Sequence, residues 1–237
     1  METIDSRTRL LLGDANMCLL RNAHIAVFGI GGVGGYVCEA LARCGVGSLD
    51  IIDSDTVSVS NLNRQILALH STIGRDKTEV MRERIADIDS SVQVRTYKIF
   101  FTPENASDFD FSQYTYVVDA IDTVAGKIAL AEHCHEANVP LISSMGAGNK
   151  LHPELFEIAD IYETSVCPLA RVMRTELRKR GIPKLKVVYS KEIPQKPADG
   201  KAPESRGRHL PSSISFTPSA AGLILAGAVV RDILNIE

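Results

Sequence analysis

The sequence lacks the cysteine pattern of a disulfide framework or of a four-cysteine zinc site. Its five cysteines are odd in number and contain no C-x-x-C pair. We therefore expect a reducing, cytoplasmic location and no zinc. The amino terminus also lacks the apolar core of a signal peptide, and the longest apolar stretch, residues 220–230, is shorter than the roughly 18 to 20 residues that span a bilayer. No membrane attachment is expected.

The sequence has no large excess of charge of one sign, since 26 lysines and arginines face 29 acids for a net charge of −3. This balance argues against a uniformly basic, nucleic-acid-coating protein. The charge is nevertheless uneven. Residues 171–208 carry twelve basic side chains and four acids, a local charge of +8, which leaves −11 for the remainder. This segregation predicts a local contact with a polyanion.

A glycine-rich loop of the form G-x-G-x-x-G runs from Gly29 to Gly34. It follows a short apolar strand at 25–28 and precedes a segment of good helix formers. A second strand ends in Asp53, nineteen positions after Gly34. Such a turn directs the N–H groups of a helix start at an anion, and an acid about 20 residues later binds ribose hydroxyls. The pattern predicts a nucleotide site but leaves ATP and NAD both open.

Two cations after the second strand favour ATP over NAD. Arg64 lies in N-x-x-R-Q and Lys77 in IGRDKTEV. An enzyme that transfers hydride has no need for extra cations beside the ribose strand, whereas one that breaks the α–β phosphate bond must stabilise the charge that develops there. The pair therefore indicates phosphate chemistry, although either residue alone would be interpreted as a solvated surface charge.

The rest of the sequence alternates between strand and helix patterns. This alternation predicts an α/β fold, a Rossmann-like, mostly parallel sheet with helices on both faces, in a single domain spanning 1–237. A basic segment and mobile loop are expected at about 171–213, with the loop itself at 194–213. The later strands are predicted at 92–98, 116–118, 141–144, 155–162 and 185–189, and the helices at 33–44, 124–138 and 220–234, with a short helix near Pro103 and one beginning at Pro168.

Five motifs, in order from Arg9 to about Ser144, resemble the ThiF-like adenylating domain that is also found in ubiquitin-activating enzymes and molybdopterin adenylyltransferases. They are GxGGVG, D-x-D-T-V, S-N-L-N-R-Q, I-G-x-x-K and VVDAIDT. The remaining sequence, including TSVCPLARVMRTELRKRG and a closing apolar helix, is similar to the branch of tRNA threonylcarbamoyladenosine dehydratases. The resemblance covers most of the chain.

The resemblance implies a site that holds ATP and Mg²⁺. Its nucleotide-binding residues would be Gly29, Gly31, Gly32, Gly34, Asp53, Asp55, Asn61, Arg64, Lys77 and Asp122. In this assignment the glycines form the phosphate loop, Asp53 binds ribose, and Asn61, Arg64 and Lys77 contact the triphosphate. Asp122 would lie near the magnesium and the α-phosphate. The catalytic residues would be Arg64, Lys77, Asp122 and Arg9, with Arg9 reaching across a homodimer into the partner's site.

The resemblance further implies that the enzyme adenylates the carboxylate of N6-threonylcarbamoyladenosine in tRNA and then cyclises it, a net dehydration. A sulfur-carrier or ubiquitin-like protein adenylyltransferase is the first alternative, which the missing C-x-x-C pairs disfavour. An NAD-dependent oxidoreductase, sharing only the loop and Asp53, is the second. We expect tRNA to contact the basic segment, in particular Arg174, Arg178 and Arg180.

Three other features resemble sites but are interpreted as structural. Neighbouring Asp119 is expected to be structural, because alternation along a strand end directs it away from Asp122. His133, Cys134 and His135 diverge by about 100° per residue on a helix and cannot converge on one ion. Cys167, before the helix that starts at Pro168, is interpreted as a buried spectator, with a nucleophilic role as the alternative.

Overall fold

The computed structural model describes residues 3–196, 204–205, 208–209 and 211–236. Its helices are α1 (Ser6–Asn22), α2 (Gly34–Arg43), α3 (Lys77–Ile88), α4 (Val124–Glu136), α5 (Pro168–Lys179) and α6 (Phe216–Leu234). Its strands are β1 (His24–Phe28), β2 (Ser48–Ile52), β3 (Gln93–Tyr97), β4 (Tyr116–Asp119), β5 (Leu141–Ser144), β6 (Phe156–Asp160), β7 (Lys186–Ser190), β8 (Glu204–Ser205) and β9 (Arg208–His209).

Seven of these strands form one sheet in the order β3-β2-β1-β4-β5-β7-β6. All neighbours are parallel except the edge strand β6, which pairs with β7 in the antiparallel direction. The predicted α/β class with a mostly parallel sheet is therefore confirmed. Because β1, β2, β4 and β5 are parallel, their carboxyl ends meet at one edge, where ligands bind in open α/β sheets.

The sheet is covered on both faces, as the alternation of its side chains requires. From β1, Ile25 and Val27 pack into a core with α1, α2, α3 and α6. Ala26 and Phe28 point the other way, into a core with α4 and the phenylalanines of the 99–111 region. A third cluster joins α4, α5 and β7. Burial on two faces explains why these strands are nearly continuous apolar runs.

The amino-terminal helix α1 is absent from the sequence prediction. Its two parts meet at Gly13, whose φ of 79° and ψ of 165° interrupt the helix, a conformation that glycine adopts without strain. The first part exposes Leu10 and Leu11, and only the second part buries apolar side chains, Met17 and Leu20. Without an apolar stripe along the whole segment, periodicity gives no helical signal.

The closing helix α6 begins at Phe216, four residues before its predicted start at 220. Pro218 lies in its first turn, where the missing N–H has no intrahelical partner to lose. By length and composition α6 is apolar enough to cross a membrane, but half of its most apolar window is buried in the protein, as in a core helix.

Half of the predicted mobile loop at 194–213 falls outside the described residues. Within it, β8 and β9 pair as a two-stranded antiparallel ribbon. Asn149 holds the segments on both sides, since its backbone O accepts from the Gln195 N–H and its side chain accepts from the Ser212 N–H at 2.7 Å. The two ends of this part of the chain are therefore anchored beside the loop that follows β5.

Candidate nucleotide site

The glycine loop between β1 and α2 is closed too tightly for side chains at two positions. A Cβ on Gly34 would lie 1.8 Å from Gly29 O, and a Cβ on Gly29 would lie 2.7 Å from Ala120 O. Gly29 also has a positive φ of 87°. The loop thus bends sharply at the start of α2 and packs against the turn after β4, which leaves backbone N–H groups at the helix start for an anion.

Asp53, at the end of β2, is tied to the same loop. Its carboxylate accepts hydrogen bonds from the Ile30 N–H at 2.7 Å and the Asp55 N–H at 2.8 Å. Burial raises the pKa of Asp53, and the nearby Lys77 ammonium opposes that rise. An ionised carboxylate has about four acceptor positions, so oxygen lone pairs remain for the hydroxyls of a ribose.

Lys77 is the first residue of α3, and backbone pairing with the segment after β2 positions it at the site. Thr56 and Asp76 form an antiparallel bridge, and the Lys77 N–H donates to Asp55 O. The ammonium, with only 5% of the side chain exposed, lies 2.7 Å from Asp55 Oδ2 and 3.8 Å from Asp53 Oδ1. The structure therefore brings together one buried cation and the two acids of the D-x-D motif.

Arg64 is held against the glycine loop by a capped turn. The Asn61 side chain accepts from the Ser58 N–H at 3.0 Å, and the Arg64 guanidinium donates to Ser60 O at 2.9 Å. A Cβ on Gly32 would lie 3.5 Å from Arg64 Cγ. Burial lowers the pKa of Arg64, and no carboxylate among the described residues pairs with it. A half-buried guanidinium without an acidic partner favours an anionic ligand.

The two acids after β4 have different environments. Asp119 is buried in an ion pair with Lys127, at 3.0 Å, and accepts from the Ser143 hydroxyl at 2.5 Å. Lys127 also donates to Ser144 O at 2.7 Å, which links α4 to the end of β5. Asp122 is exposed and makes no hydrogen bond or ion pair within the described part of the chain. The sequence pattern does not indicate a role for Lys127, because its partners lie 8 and 17 residues away.

Arg9 precedes all the other candidate residues in the sequence. It lies in the first part of α1, where its guanidinium pairs with Asp5 and Asp14. Its side-chain hydrogen bonds and ion pairs in the described residues all lie within residues 5–14. The adjacent Leu10 and Leu11 are 85% and 83% exposed, an unusual state for two consecutive leucines.

Gln65, the residue after Arg64, also lies at the glycine loop, although the sequence pattern assigns it no role. Its side chain is buried, yet its Oε1 atom has no hydrogen-bond partner within the described residues. Its Nε2 atom would lie 3.8 Å from a Cβ on Gly31. Its position as the last residue of the S-N-L-N-R-Q motif is the only sequence feature that could have indicated a role for Gln65. A single polar residue gives no periodic pattern that marks it as buried.

The described residues include no group of three histidine, cysteine or acidic side chains that could hold a metal ion. His133 instead stacks on Phe111, with ring centroids 5.4 Å apart, and Cys134 is buried in the core. Asp122 fits magnesium in another way, because Mg²⁺ is bound through one or two carboxylates together with the substrate's phosphates. Its exposed carboxylate, which has no partner among the described residues, fits such a role.

Cys167 is buried immediately before Pro168, the first residue of α5. A Cβ on Gly146, in the loop after β5, would lie 3.9 Å from its Sγ atom. The start of α5 is therefore at the same edge of the sheet as the glycine loop. Burial and the lack of a base hydrogen-bonded to the thiol within the described residues favour the spectator interpretation.

Comparisons with known proteins agree with this geometry. The ThiF family model matches residues 6–236. The chain is 44% identical to a tRNA threonylcarbamoyladenosine dehydratase of Bacillus subtilis, over 97% of this chain and 94% of the relative. It is similar to Escherichia coli tRNA N6-threonylcarbamoyladenosine dehydratase solved with ATP, with a TM-score of 0.87, 33% identity and coverage of 97% and 93% of the two chains. The AMP complex of that enzyme gives a TM-score of 0.86, 32% identity and coverage of 99% and 98%.

Proposed function

The chain belongs to the ThiF family, and we propose that it is an ATP-dependent tRNA threonylcarbamoyladenosine dehydratase. The observation that carries phosphate chemistry is Arg64, a half-buried guanidinium that lies against the glycine loop with no carboxylate partner in the described residues. The substrate follows from the relatives, whose similarity extends over nearly the whole of both chains. A sulfur-carrier adenylyltransferase or an oxidoreductase would not be expected to match these enzymes from end to end.

The first step brings the carboxylate of the modified nucleoside and the α-phosphate of ATP together at the carboxyl edge of the sheet. The threonyl carboxylate of the modified nucleoside attacks the α-phosphate of ATP, so that a C–O–P bond forms, the α–β bond breaks and pyrophosphate leaves. Arg64 and Lys77 stabilise the charge that moves to the pyrophosphate. Magnesium, held by Asp122 together with the phosphates, would neutralise phosphate charge in the bound nucleotide.

The second step needs positioning more than it needs a charged catalyst. A nitrogen of the same side chain attacks the activated carbonyl, its proton is lost and AMP leaves with the oxygen that was the carboxylate's. The net change is loss of one water from the nucleoside, as ATP becomes AMP and pyrophosphate. Since nucleophile and electrophile belong to one group, holding that group in the reactive geometry supplies much of the rate.

The test of this proposal is AMP formation from ATP with different tRNA preparations. The enzyme should form AMP with tRNA that carries the uncyclised modification and should not do so with unmodified tRNA or with a ubiquitin-like carrier protein. AMP formation that depends on the carrier protein would instead identify a sulfur-carrier adenylyltransferase. We place the enzyme in the cytoplasm, where its five free thiols would stay reduced.

We further propose that α5 contacts the tRNA backbone. Of the three arginines that the sequence indicates for tRNA contact, Arg174 is hydrogen-bonded to Thr164 O at 2.9 Å, and Arg180 pairs with Glu176 and Glu132. Arg171 and Arg178 are exposed, and neither pairs with an acidic side chain among the described residues. They are two helical turns apart and thus share one face, along a helix that starts at the edge holding the nucleotide site.

Replacing Arg171 and Arg178 with alanine should weaken tRNA binding and flatten its salt dependence. Two lost phosphate contacts should reduce the slope of log K against log salt by about 1.4 to 1.8, with ATP affinity unchanged. Filter binding across a salt series measures both quantities. Lys191→Ala is the control, since this exposed lysine is already paired with Glu157. An unchanged slope in the double variant would remove α5 from the interface.

We also propose a homodimer in which Arg9 acts in the partner's site. The exposed Leu10 and Leu11 beside it would be covered by a second copy. An arginine supplied in trans completes the charge around a triphosphate only after assembly. In this proposal the first part of α1, joined through Gly13 to the part that is packed in the core, would extend toward the second subunit.

Mixing Arg9→Ala chains with Lys77→Ala chains should restore activity that neither variant has alone. In a mixed dimer, one of the two sites contains both Lys77 and the partner's Arg9. AMP formation after verified subunit exchange is the measurement. Mixing Arg9→Ala with the Arg9→Ala/Lys77→Ala double variant is the matched control and should restore nothing. Equal activity in the two mixtures would show that Arg9 does not act across the interface.

A further inference from the structure

A shallow hollow of about 310 Å³, open to solvent, lies at the carboxyl end of α5. It is lined by the Tyr162 ring, the Arg178 side chain and the turn of residues 181–183. The guanidinium carbon of Arg178 lies 5.1 Å from the centroid of the Tyr162 ring, which places a cation over an aromatic face. None of these residues belongs to the nucleotide site, so the hollow needs a separate explanation.

The parts of the hollow are held in place by hydrogen bonds within the protein. The Tyr162 hydroxyl donates to Ile182 O at 2.6 Å. The Ile182 N–H donates to Leu177 O at 3.1 Å, and the Gly181 N–H donates to Arg178 O at 3.2 Å. The turn is thereby tied to the last turn of α5, and the ring is tied to the turn. A binding surface that is ordered in advance loses less entropy when its partner binds.

The charges around the hollow fit an anionic partner. Arg178 and Lys184, which flank the turn of residues 181–183, are both exposed, and neither pairs with an acidic side chain among the described residues. Lys179 and Arg180 differ, because both pair with Glu176. An aromatic ring beside available cations is suited to single-stranded nucleic acid, whose bases stack on rings and guanidinium planes while cations contact its phosphates.

We propose that the hollow binds an unpaired nucleobase of the tRNA, which stacks on the Tyr162–Arg178 pair. This inference rests on the proposed function in taking tRNA as the substrate. An arginine can serve a base and a phosphate at the same time, because the guanidinium stacks through its face and donates hydrogen bonds in its plane. Arg178 would therefore keep its contact with the RNA backbone while the pair holds the base.

The position of the hollow assigns it to a nucleotide other than the one that reacts. The start of α5 lies at the carboxyl edge of the sheet, where Cys167 packs against the loop after β5. Arg178 follows Pro168 by ten residues, so the hollow lies about 15 Å along the helix from that edge. The RNA would be held at two points, and only a single-stranded segment has bases free to stack on protein.

The test is the affinity for tRNA that carries the uncyclised modification, measured by filter binding across a salt series. Tyr162→Leu should bind this tRNA about 10-fold more weakly, with the salt slope unchanged, because no phosphate contact is lost. Tyr162→Phe keeps the ring and should bind nearly as tightly as the wild type. The matched control is Phe100→Leu, which removes an exposed aromatic ring after β3 and should not alter the affinity. The Tm of each variant establishes that it is folded.

A second readout is tryptophan fluorescence, because the chain has no tryptophan of its own. In the Tyr162→Trp enzyme the modified tRNA should quench the indole emission by stacking, and heparin, a polyanion without bases, should leave it unchanged. No quenching by tRNA, or equal quenching by heparin, would overturn the proposal. So would an unchanged affinity of Tyr162→Leu or an equal loss in Tyr162→Phe. Failure of the proposed function would appear in the wild-type enzyme instead, as tRNA binding without AMP formation.

Discussion

Replacing Lys77 with alanine should reduce AMP formation by about 10² to 10³ at saturating ATP, which is the usual cost of one preorganised contact to developing charge, ~3 to 4 kcal/mol. Lys77 is buried at the start of α3, 2.7 Å from Asp55 Oδ2. Without it, Asp53 and Asp55 would place two uncompensated negative charges beside the phosphates. The loss should therefore lie toward the upper end of this range.

Single-turnover formation of AMP, with the modified tRNA and ATP both in excess of their dissociation constants, is the appropriate measurement. The control is Lys98→Ala. Lys98 is an exposed lysine that pairs with Asp76, the residue before Lys77, and the variant should keep wild-type activity. Circular dichroism and the Tm establish that Lys77→Ala is folded. Unchanged turnover in a folded Lys77→Ala enzyme would exclude Lys77 from the site. Arg64→Ala should show a loss of the same order.

Asp122→Asn should lower AMP formation strongly at low magnesium and less at high magnesium. The substitution keeps the size of the side chain and removes the negative charge that Mg²⁺ prefers in a ligand. Because Asp122 has no partner among the described residues, the change leaves no buried charge unpaired and the fold should be intact. Asp119→Asn differs in this respect, since it would leave Lys127 buried opposite a neutral amide.

A magnesium titration of AMP formation tests this expectation. The concentration needed for half-maximal rate should rise by about 10-fold or more in Asp122→Asn and stay unchanged in Asp87→Asn, an exposed aspartate of α3. A defect that is the same at every magnesium concentration would exclude Asp122 as a metal ligand. An unchanged rate at every concentration would exclude it from the site.

The sequence predicted the parts of the fold that depend on local pattern. The loop from Gly29 to Gly34, the strand ending in Asp53 and the turn carrying Asp122 all follow from apolar runs that end in glycine or acid. Parallel strands bring their carboxyl ends to one edge, so the grouping of these residues also follows. The structure adds the reason for two glycines, because a Cβ on Gly34 or Gly29 would meet backbone oxygen.

Contacts between distant parts of the chain could not be predicted. The order that places β7 between β5 and β6, the ion pair of Asp119 with Lys127, and the packing of Pro218 on Gly32 each depend on tertiary structure. The burial of Gln65 could not be predicted for the same reason, since it depends on packing against the glycine loop. The basic composition of α5 likewise does not reveal that Arg180 is paired with Glu132 of α4 and is therefore not free to contact tRNA.

The most direct test of the central claim is nucleoside analysis by mass spectrometry of tRNA treated with this enzyme and ATP. With tRNA from a strain that cannot cyclise the modification, N6-threonylcarbamoyladenosine should lose one water, and one AMP should form for each nucleoside converted. The Lys77→Ala enzyme should convert the nucleoside far more slowly under the same conditions. An unchanged nucleoside after incubation with folded wild-type enzyme, ATP and magnesium would contradict the account.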